Sequence, residues 1–457
     1  MSSRQHVAVI GTGIAGLTAA WVLNRRYRLT VFEQADWIGG HSNTVDVDLP
    51  EGRLPVDTGF IVFNYRTYPL LTKLFGSLDV PVHGSYMSFG VSIDGGRVEY
   101  SGGELFKLFV QKRNLLRPAF HRMWLDILRF NAQATTLLDD PHEGDPSLGD
   151  YLDRHGYSES FQRWYLLPMG AAIWSMSIAG MRDFPARSFI RFFHNHGLLT
   201  VMSQPRWYTV TGGSRDYVKR LSAPFRSSIH TKRGVRAVRR LPSGLVEVID
   251  EHGRSESFDH VVMACHGDTA ARLISDLEPR ERAIIGSFGF QPNRAVLHTD
   301  TSLMPKRRAV WSSWNYLHST RGDRSCNVSV SYWMNKLQNL PTKTDVIVTL
   351  NPMRAPDPAK VIAAFDYDHP VMDRAAMAAQ RRLAEIQGRN GITFAGAYLA
   401  NGFHEDGCRA GIEAARVLGV LPPWEIAGDL PQIFKPRPAV ASGVIGMPEG
   451  AVAEPSR

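Results

Sequence analysis

The stretch 6–41, HVAVIGTGIAGLTAAWVLNRRYRLTVFEQADWIGGH, decides the fold. Residues 7–10 form a short apolar run rich in valine and isoleucine, suited to a buried parallel strand. Gly11, Gly13 and Gly16 come next in the spacing G-x-G-x-x-G. The first glycine permits a tight turn, the second lets backbone approach a pyrophosphate, and the third lets the next helix pack on the strand. A helix is predicted over 14–24, its opening residues Ile14 and Ala15 aiming amides and dipole at the phosphates. A second strand over 29–33 ends on Glu33, about twenty residues beyond Gly13, where a carboxylate reaches a ribose hydroxyl. Gln34 succeeds it at the adenosine end. The acid favours a free 2′-hydroxyl, which points to FAD or NAD over NADP.

The residues just past the acid separate the two. Gly39-Gly40 comes six residues after Glu33, and an NAD domain has no standing need for a second glycine pair there. The fingerprint G-x-G-x-x-G, acid, G-G resembles that of the FAD-dependent amine oxidase and phytoene desaturase superfamily. The resemblance implies an α/β architecture, a Rossmann-type FAD-binding domain interleaved with an α+β substrate domain, and FAD as cofactor. It implies contacts to the cofactor from Gly39, Gly40 and His41, and from the segment V-D-T-G-F-I-V, where Asp57, Gly59, Phe60 and Ile61 would run beside the flavin ring. Val235 falls where the adenine is met, and Ala264 in a turn near the nucleotide. The closing motif of the superfamily is matched by Gly396, Gly407, Gly411 and Ala414-Ala415, after a strand over 392–395 and within a helix over 406–418. Gly396 would let backbone approach the pyrophosphate, while Asp406 and Gly407 open a helix whose N-terminus faces the flavin and stabilises negative charge there.

Size and composition bound the rest. The chain has 457 residues, 44% hydrophobic and 21% charged, a globular composition too long for one ordinary core. The expected FAD-binding domain is 1–67, 210–283 and 385–420. The expected substrate domain is 68–209 and 284–384, with 421–457 as a C-terminal extension. Net charge is +8 and the isoelectric point about 9.4, which favours anionic partners. With no zinc-ligand spacing, RNA-binding signature or lysine run, nucleic acid is not expected. Cys265, Cys326 and Cys408 are scattered and suggest a reducing cytoplasm. No signal segment precedes the first strand, and no apolar run is long enough to span a bilayer. The best candidate, 166–181, is interrupted by Pro168, Gly170 and Gly180. A cytoplasmic protein is expected, soluble or peripheral on the inner membrane face.

A helical region is predicted over 103–138, with Pro118 kinking or splitting it. Its first part interleaves Lys107, Lys112, Arg113, Arg117, Arg122 and Arg129 with Phe106, Phe109, Leu115, Leu116, Phe120 and Trp124. Two readings compete: a face lying on an anionic membrane, or a solvated cationic face over a core stripe. Residues 164–208 form the most apolar and aromatic part of the chain, as the core of a helical subdomain or as an apolar pocket. His194 and His196 lack carboxylates or thiols at ligand spacing, so helix termination and pocket lining are preferred to a metal site. A second sheet is expected over 284–363.

A flavin carries the redox chemistry and the protein supplies orientation and electrostatics. Amine oxidases of the superfamily often show G-G-R where this chain has Gly39-Gly40-His41, and an aromatic cage before the last helix where it has only Phe403 and His404. The G-G-H variant, P-M-G-A-A-I-W-S and N-H-G-L-L together resemble bacterial flavoproteins linked to methylated and furan fatty-acid biosynthesis. That resemblance implies removal of a hydride from an unsaturated or methyl-branched acyl chain, giving desaturation or double-bond isomerisation, with membrane phospholipid as the expected substrate. His404 and Glu405 are the candidate proton acceptors and His41 a tuner of the flavin. The alternatives are an oxidase of an amine or another small apolar substrate, and a non-catalytic flavin-binding scaffold at a membrane.

Overall fold

The computed structural model describes residues 4–102, 108–140, 144–199, 205–319 and 328–425. Phe106, Lys107, Cys326 and most of the C-terminal extension lie outside them. The opening strand, His6–Ile10, is the centre of a five-stranded all-parallel sheet. Its order is Ile392–Phe394, His260–Met263, His6–Ile10, Arg28–Phe32, Ile229–His230. Val7, Ala8 and Val9 are fully buried, as the apolar run requires of a strand covered on both faces. The chain steps from the central strand to one side at Arg28–Phe32 and returns to the other at His260–Met263. That reversal opens a crevice beyond the carboxyl ends of the strands, where the glycine turn sits.

The helix Ile14–Leu23 has nine buried residues out of ten. It is apolar all round because it is covered on both sides, by the sheet and by the helix His404–Val417. Small residues allow that contact. A side chain at Gly411 would run into the Ala15 carbonyl oxygen and come within 2.9 Å of Thr18 Cβ. The last helix begins two residues earlier than the 406–418 expected.

A second, seven-stranded sheet runs Val361–Pro370, Phe290–His298, Ile347–Leu350, Ser329–Trp333, Trp314–His318, Phe89–Ile93, Val98–Ser101. Its neighbours are antiparallel except Trp314–His318 with Phe89–Ile93. Strands from two distant parts of the chain thus share one sheet. The edge strand Val361–Pro370 is longer than the expected sheet, which stopped at 363; its acids and terminal proline suit an edge position.

On this sheet lie Pro118–Gln133, Leu148–Arg154, Leu167–Trp174, Ile178–Asp183 and Ala186–Asn195. Phe120, Phe130, Phe161, Phe189 and Phe193 join Tyr316 and Val330 of the sheet in one core, each phenylalanine contributing roughly 2–3 kcal/mol by burial. Most of the aromatic-rich stretch is therefore core. Pro118 splits the predicted helical region: the turn Lys112–Leu116 ends before it, and an α-helix begins on it, at a first-turn position where its missing N–H costs nothing. The segment 166–181 breaks at Ser175, which is left-handed (φ 56°), before Ser177 caps the next helix. Among the described residues no helix is long and apolar enough to cross a membrane.

Gly411→Ala tests the helix contact. Because the new methyl meets backbone, unfolding in urea is expected to show a loss of about 1–3 kcal/mol.

Candidate active site

The glycine turn is preorganised from within. The Gly11 amide donates to the Phe32 carbonyl (2.8 Å), and the helix after it starts at Gly13 with no side-chain cap and no acid in its first turn. Its first amides therefore lack intrahelical acceptors. A Cβ built on Gly13 has no described atom within 4 Å. Glu33 is pinned beside this turn: it accepts from the Thr12 amide (3.0 Å), the Thr12 hydroxyl (2.5 Å) and the Ala35 amide (2.9 Å). The Gly39 amide donates to the Thr12 carbonyl (3.0 Å), and a Cβ at Gly40 would lie 3.2 Å from Gly13 Cα. The second glycine pair thus folds back over the first turn. Gln34 is exposed beside Gly234 and the strand beginning at Val235. Ala264 backs onto Gly11. All the residues expected at the nucleotide end are brought together.

The segment after Asp57 enters the same crevice. Phe60 N–H donates to the His41 carbonyl (2.8 Å), placing Gly59 against His41 backbone. Asp57 has a different task. It is buried and accepts from Thr44 Oγ1 (2.6 Å), the Ser214 amide (2.8 Å) and Gln338 Nε2 (2.9 Å). Burial pushes its carboxyl up to about 6 despite these donors. It joins three chain segments rather than lining the ring.

His404 and Glu405 do not form a pair. The His404 ring stacks on Phe60 with centroids 3.7 Å apart. Its Nε2 lies 2.9 Å from Ser42 Oγ and 2.8 Å from the Tyr217 hydroxyl. Glu405 faces the helix Pro69–Ser77, accepting from the Leu70 amide (3.0 Å) and the Leu71 amide (2.9 Å). It is the N-terminal cap of that helix, and both its oxygens are engaged there. Asp406 accepts from the Phe403 amide (3.0 Å), and burial raises its carboxyl to about 6. Gly407 packs against Ile14, and Gly396 precedes the turn Ala397–Leu399.

The edge strand adds residues that sequence reasoning missed. The His41 ring stands 4.8 Å from Tyr367 and stacks 5.5 Å from His369. Tyr367 hydroxyl is held by Thr58 Oγ1 (2.7 Å) and Asn43 Nδ2 (3.1 Å). His266 stacks on Phe290 at 4.2 Å. The alternation F-D-Y-D-H over 365–369 was the available signal, because it puts Phe365, Tyr367 and His369 on one strand face. Burial, then neighbouring His369, His266 and His404, hold His41 well below the usual imidazole range. Burial lowers His369 to about 4 and His404 to about 3. The cluster is uncharged at neutral pH. Among the described residues the buried Nε2 of His41 has no hydrogen-bond partner, a condition that costs about 1–3 kcal/mol unless a bound group relieves it. The open space over Gly13 and the uncapped helix start fit a flavin dinucleotide lying in the crevice.

His194 is exposed at a helix end, while His196 stacks on Phe192 (3.8 Å) and bonds its carbonyl. Among the described residues no three metal-ligating side chains gather. A cleft of about 460 Å³ is lined by Gly84, Ser85, Tyr86, Met87, Pro205, Arg206, Trp207 and Tyr208. Its wall is tied to the flavin-side segment: Phe63 N–H donates to the Tyr208 carbonyl (3.0 Å) and Thr209 Oγ1 to the Ile61 carbonyl (2.8 Å).

Residues 14–348 match the family described as flavin containing amine oxidoreductase. Among solved structures, the fold is similar to the CLA-producing fatty acid isomerase from P. acnes, at 15% identity and a TM-score of 0.60 over 90% of this chain and 98% of that one. Cyclohexylamine oxidase from Brevibacterium oxydans IH-35A matches at 16% identity and 0.64, over 91% and 98%. Putrescine oxidase bound to putrescine matches at 15% and 0.60, over 91% and 98%.

Gly13→Ala is expected to leave stability unchanged, because its φ of −63° suits alanine and the space is open. The purified variant should retain less than a tenth of the wild-type flavin, read from visible absorbance. His404 gives a pH test. Its folded value lies below the unfolded 6.5, so its contribution is present above pH 6.5 and is lost as pH falls toward 3. The stability advantage of wild type over His404→Gln should shrink by about 1 kcal/mol between pH 7.5 and 5.5, measured by urea unfolding.

Proposed function

The chain belongs to the flavin-containing amine oxidoreductase family and is an FAD-dependent oxidoreductase, and from that premise we propose that it removes a hydride from an unsaturated or methyl-branched fatty acyl chain. The observation that carries this reading is the cleft beside Ile61–Phe63. Met87, Trp207 and Tyr208 offer apolar and aromatic wall, and exposed Arg206 stands among its lining residues. An acyl chain with a carboxylate or phosphate head suits a cationic mouth, whereas a protonated amine is repelled by one. The fold similarity to a fatty acid isomerase accords with this.

FAD, when bound, supplies a two-electron acceptor for the hydride leaving an allylic C–H bond. Gly11–Gly16 and the start of the first helix would hold its pyrophosphate, Glu33 its ribose, and Gly39, Gly40, His41, Gly59, Phe60 and Ile61 its flavin end. The proton that must leave the neighbouring carbon to give a diene needs an uncharged base. His41 is that base in this reading, held neutral by burial beside Tyr367 and His369. Glu405 has no part in the step, since it caps a helix. His404 acts on the site through Ser42 and Tyr217, holding the Phe60 segment in place.

The second reading, oxidation of an amine, is favoured by the similarity to cyclohexylamine and putrescine oxidases. The two separate under anaerobic mixing. Unsaturated or methyl-branched acyl chains should bleach the flavin absorbance and amines should not; bleaching by amines alone would overturn the acyl assignment. Arg206→Glu is expected to raise KM for an anionic acyl substrate about tenfold with kcat little changed, the pattern of lost head-group binding.

A further inference from the structure

The turn Lys112–Leu116 and the outward face of the helix Pro118–Gln133 depart from ordinary protein surface. Phe120, Met123, Ile127 and Phe130 fill the core side of that helix. The opposite side, spaced three and four apart, carries His121, Arg122, Leu125 and Leu128. A merely solvated face would be polar there, yet Leu125 is 59% exposed and Leu128 45%. Leu116 is 86% exposed and Leu115 51%. His121 Nε2 lies 2.7 Å from the Leu115 carbonyl, so the turn and the helix face are continuous. The turn is also stiff. Buried Asn114 donates to the Glu99 carbonyl (3.1 Å), and Gln111 Nε2 to the Gly96 carbonyl (3.1 Å). The leucines are held outward by the bonding of the turn, not by fraying.

Cationic groups crowd the same place. Arg113 donates to the Gly96 carbonyl (3.0 Å) and to the Arg97 carbonyl, and Arg117 to the Arg97 carbonyl (3.0 Å). Burial, then Arg113 and Arg97, lower the Arg117 guanidinium from its ordinary range, which reports like charges held close. Asp94 approaches Arg97 only at 4.0 Å. Lys112 and Arg122 are exposed beside them, Arg122 lying 3.5 Å from buried Asp126.

We propose that this patch is an interfacial docking surface for an anionic phospholipid bilayer, with Leu115, Leu116, Leu125 and Leu128 entering the head-group boundary and Lys112, Arg113 and Arg117 meeting lipid phosphates. Exposed leucines gain by leaving water, and phosphates relieve the crowded guanidiniums; neither alone gives stable binding, and together they do. A second protein copy would leave the arginine cluster facing its own like charge. The inference does not rest on the acyl-chain reading of the active site.

The test uses the flavin-loaded full chain and vesicles of saturated lipids, so that binding is independent of turnover. Co-sedimentation with vesicles of phosphatidylcholine plus phosphatidylglycerol is expected to exceed that with phosphatidylcholine alone by tenfold or more, and to fall as salt rises. Leu116→Ser should weaken binding about tenfold and Lys112→Glu roughly fivefold or more. Met353→Ser, at an exposed apolar site outside the patch, should change nothing. Flavin content and thermal unfolding confirm that each variant is folded. Binding indifferent to anionic lipid, or unchanged in Leu116→Ser, overturns the proposal. So does a dimer in sedimentation velocity that Leu116→Ser converts to monomer.

Discussion

The contact between the first helix and the last one holds the cofactor crevice together. Ile14–Leu23 cannot face water, since nine of its residues are buried. Only a partner with glycine and alanine along one side approaches it closely enough, and Gly407, Gly411 and Ala414 of His404–Val417 provide that side. Close packing here leaves little tolerance for added volume. It also sets the position of everything attached to the last helix. His404 is delivered to Phe60, and Glu405 to the start of Pro69–Ser77. Two segments far apart in the chain thus meet at one site.

This frame also sets the electrostatic character of the crevice. Four imidazoles gather near the flavin side, and burial lowers each of them. Two carboxyls, Asp57 and Asp406, are pushed the other way by the same burial. Desolvation acts on all six in the direction that removes charge. A site of this kind presents hydrogen-bonding atoms without strong local fields. The hydrogen bonds among Ser42, Tyr217 and His404 keep polar atoms satisfied there, whereas buried His41 Nε2 has no partner among the described residues.

Local chemistry was legible in the sequence and nonlocal pairing was not. The glycine spacing and Glu33 announce themselves because turn, strand and helix succeed one another directly. Gly39-Gly40 could be recognised by position, but its physical purpose depends on Thr12, which only the folded chain brings under it. Glu405 looks like chemistry because it opens the last helix beside a histidine. Its actual partners, the amides of Leu70 and Leu71, come from the other end of the chain, and nothing local betrays them. Tyr367 and His369 are within reach of a period-two reading, yet the acids between them and Pro370 argue against a strand. Pro118 signals a broken helix by its missing donor, and its fixed φ starts the second piece.

The same physics bears on substrate choice. An amine in water is a cation, and its oxidation needs the neutral form close to the flavin. A site for it gains from negative groups or aromatic faces that draw the cation in. Here the cleft lining includes exposed Arg206, and the acids in the first turn of the last helix are turned into caps: Glu405 onto Leu70 and Leu71, Asp406 onto Phe403. Their charge is directed at backbone dipoles and not at the crevice. An acyl chain needs none of that attraction. It needs an apolar wall, a cation for its head, and a neutral base within reach of a carbon-bound proton. On that comparison, the residues around the crevice support the proposed acyl-chain reading over the amine one.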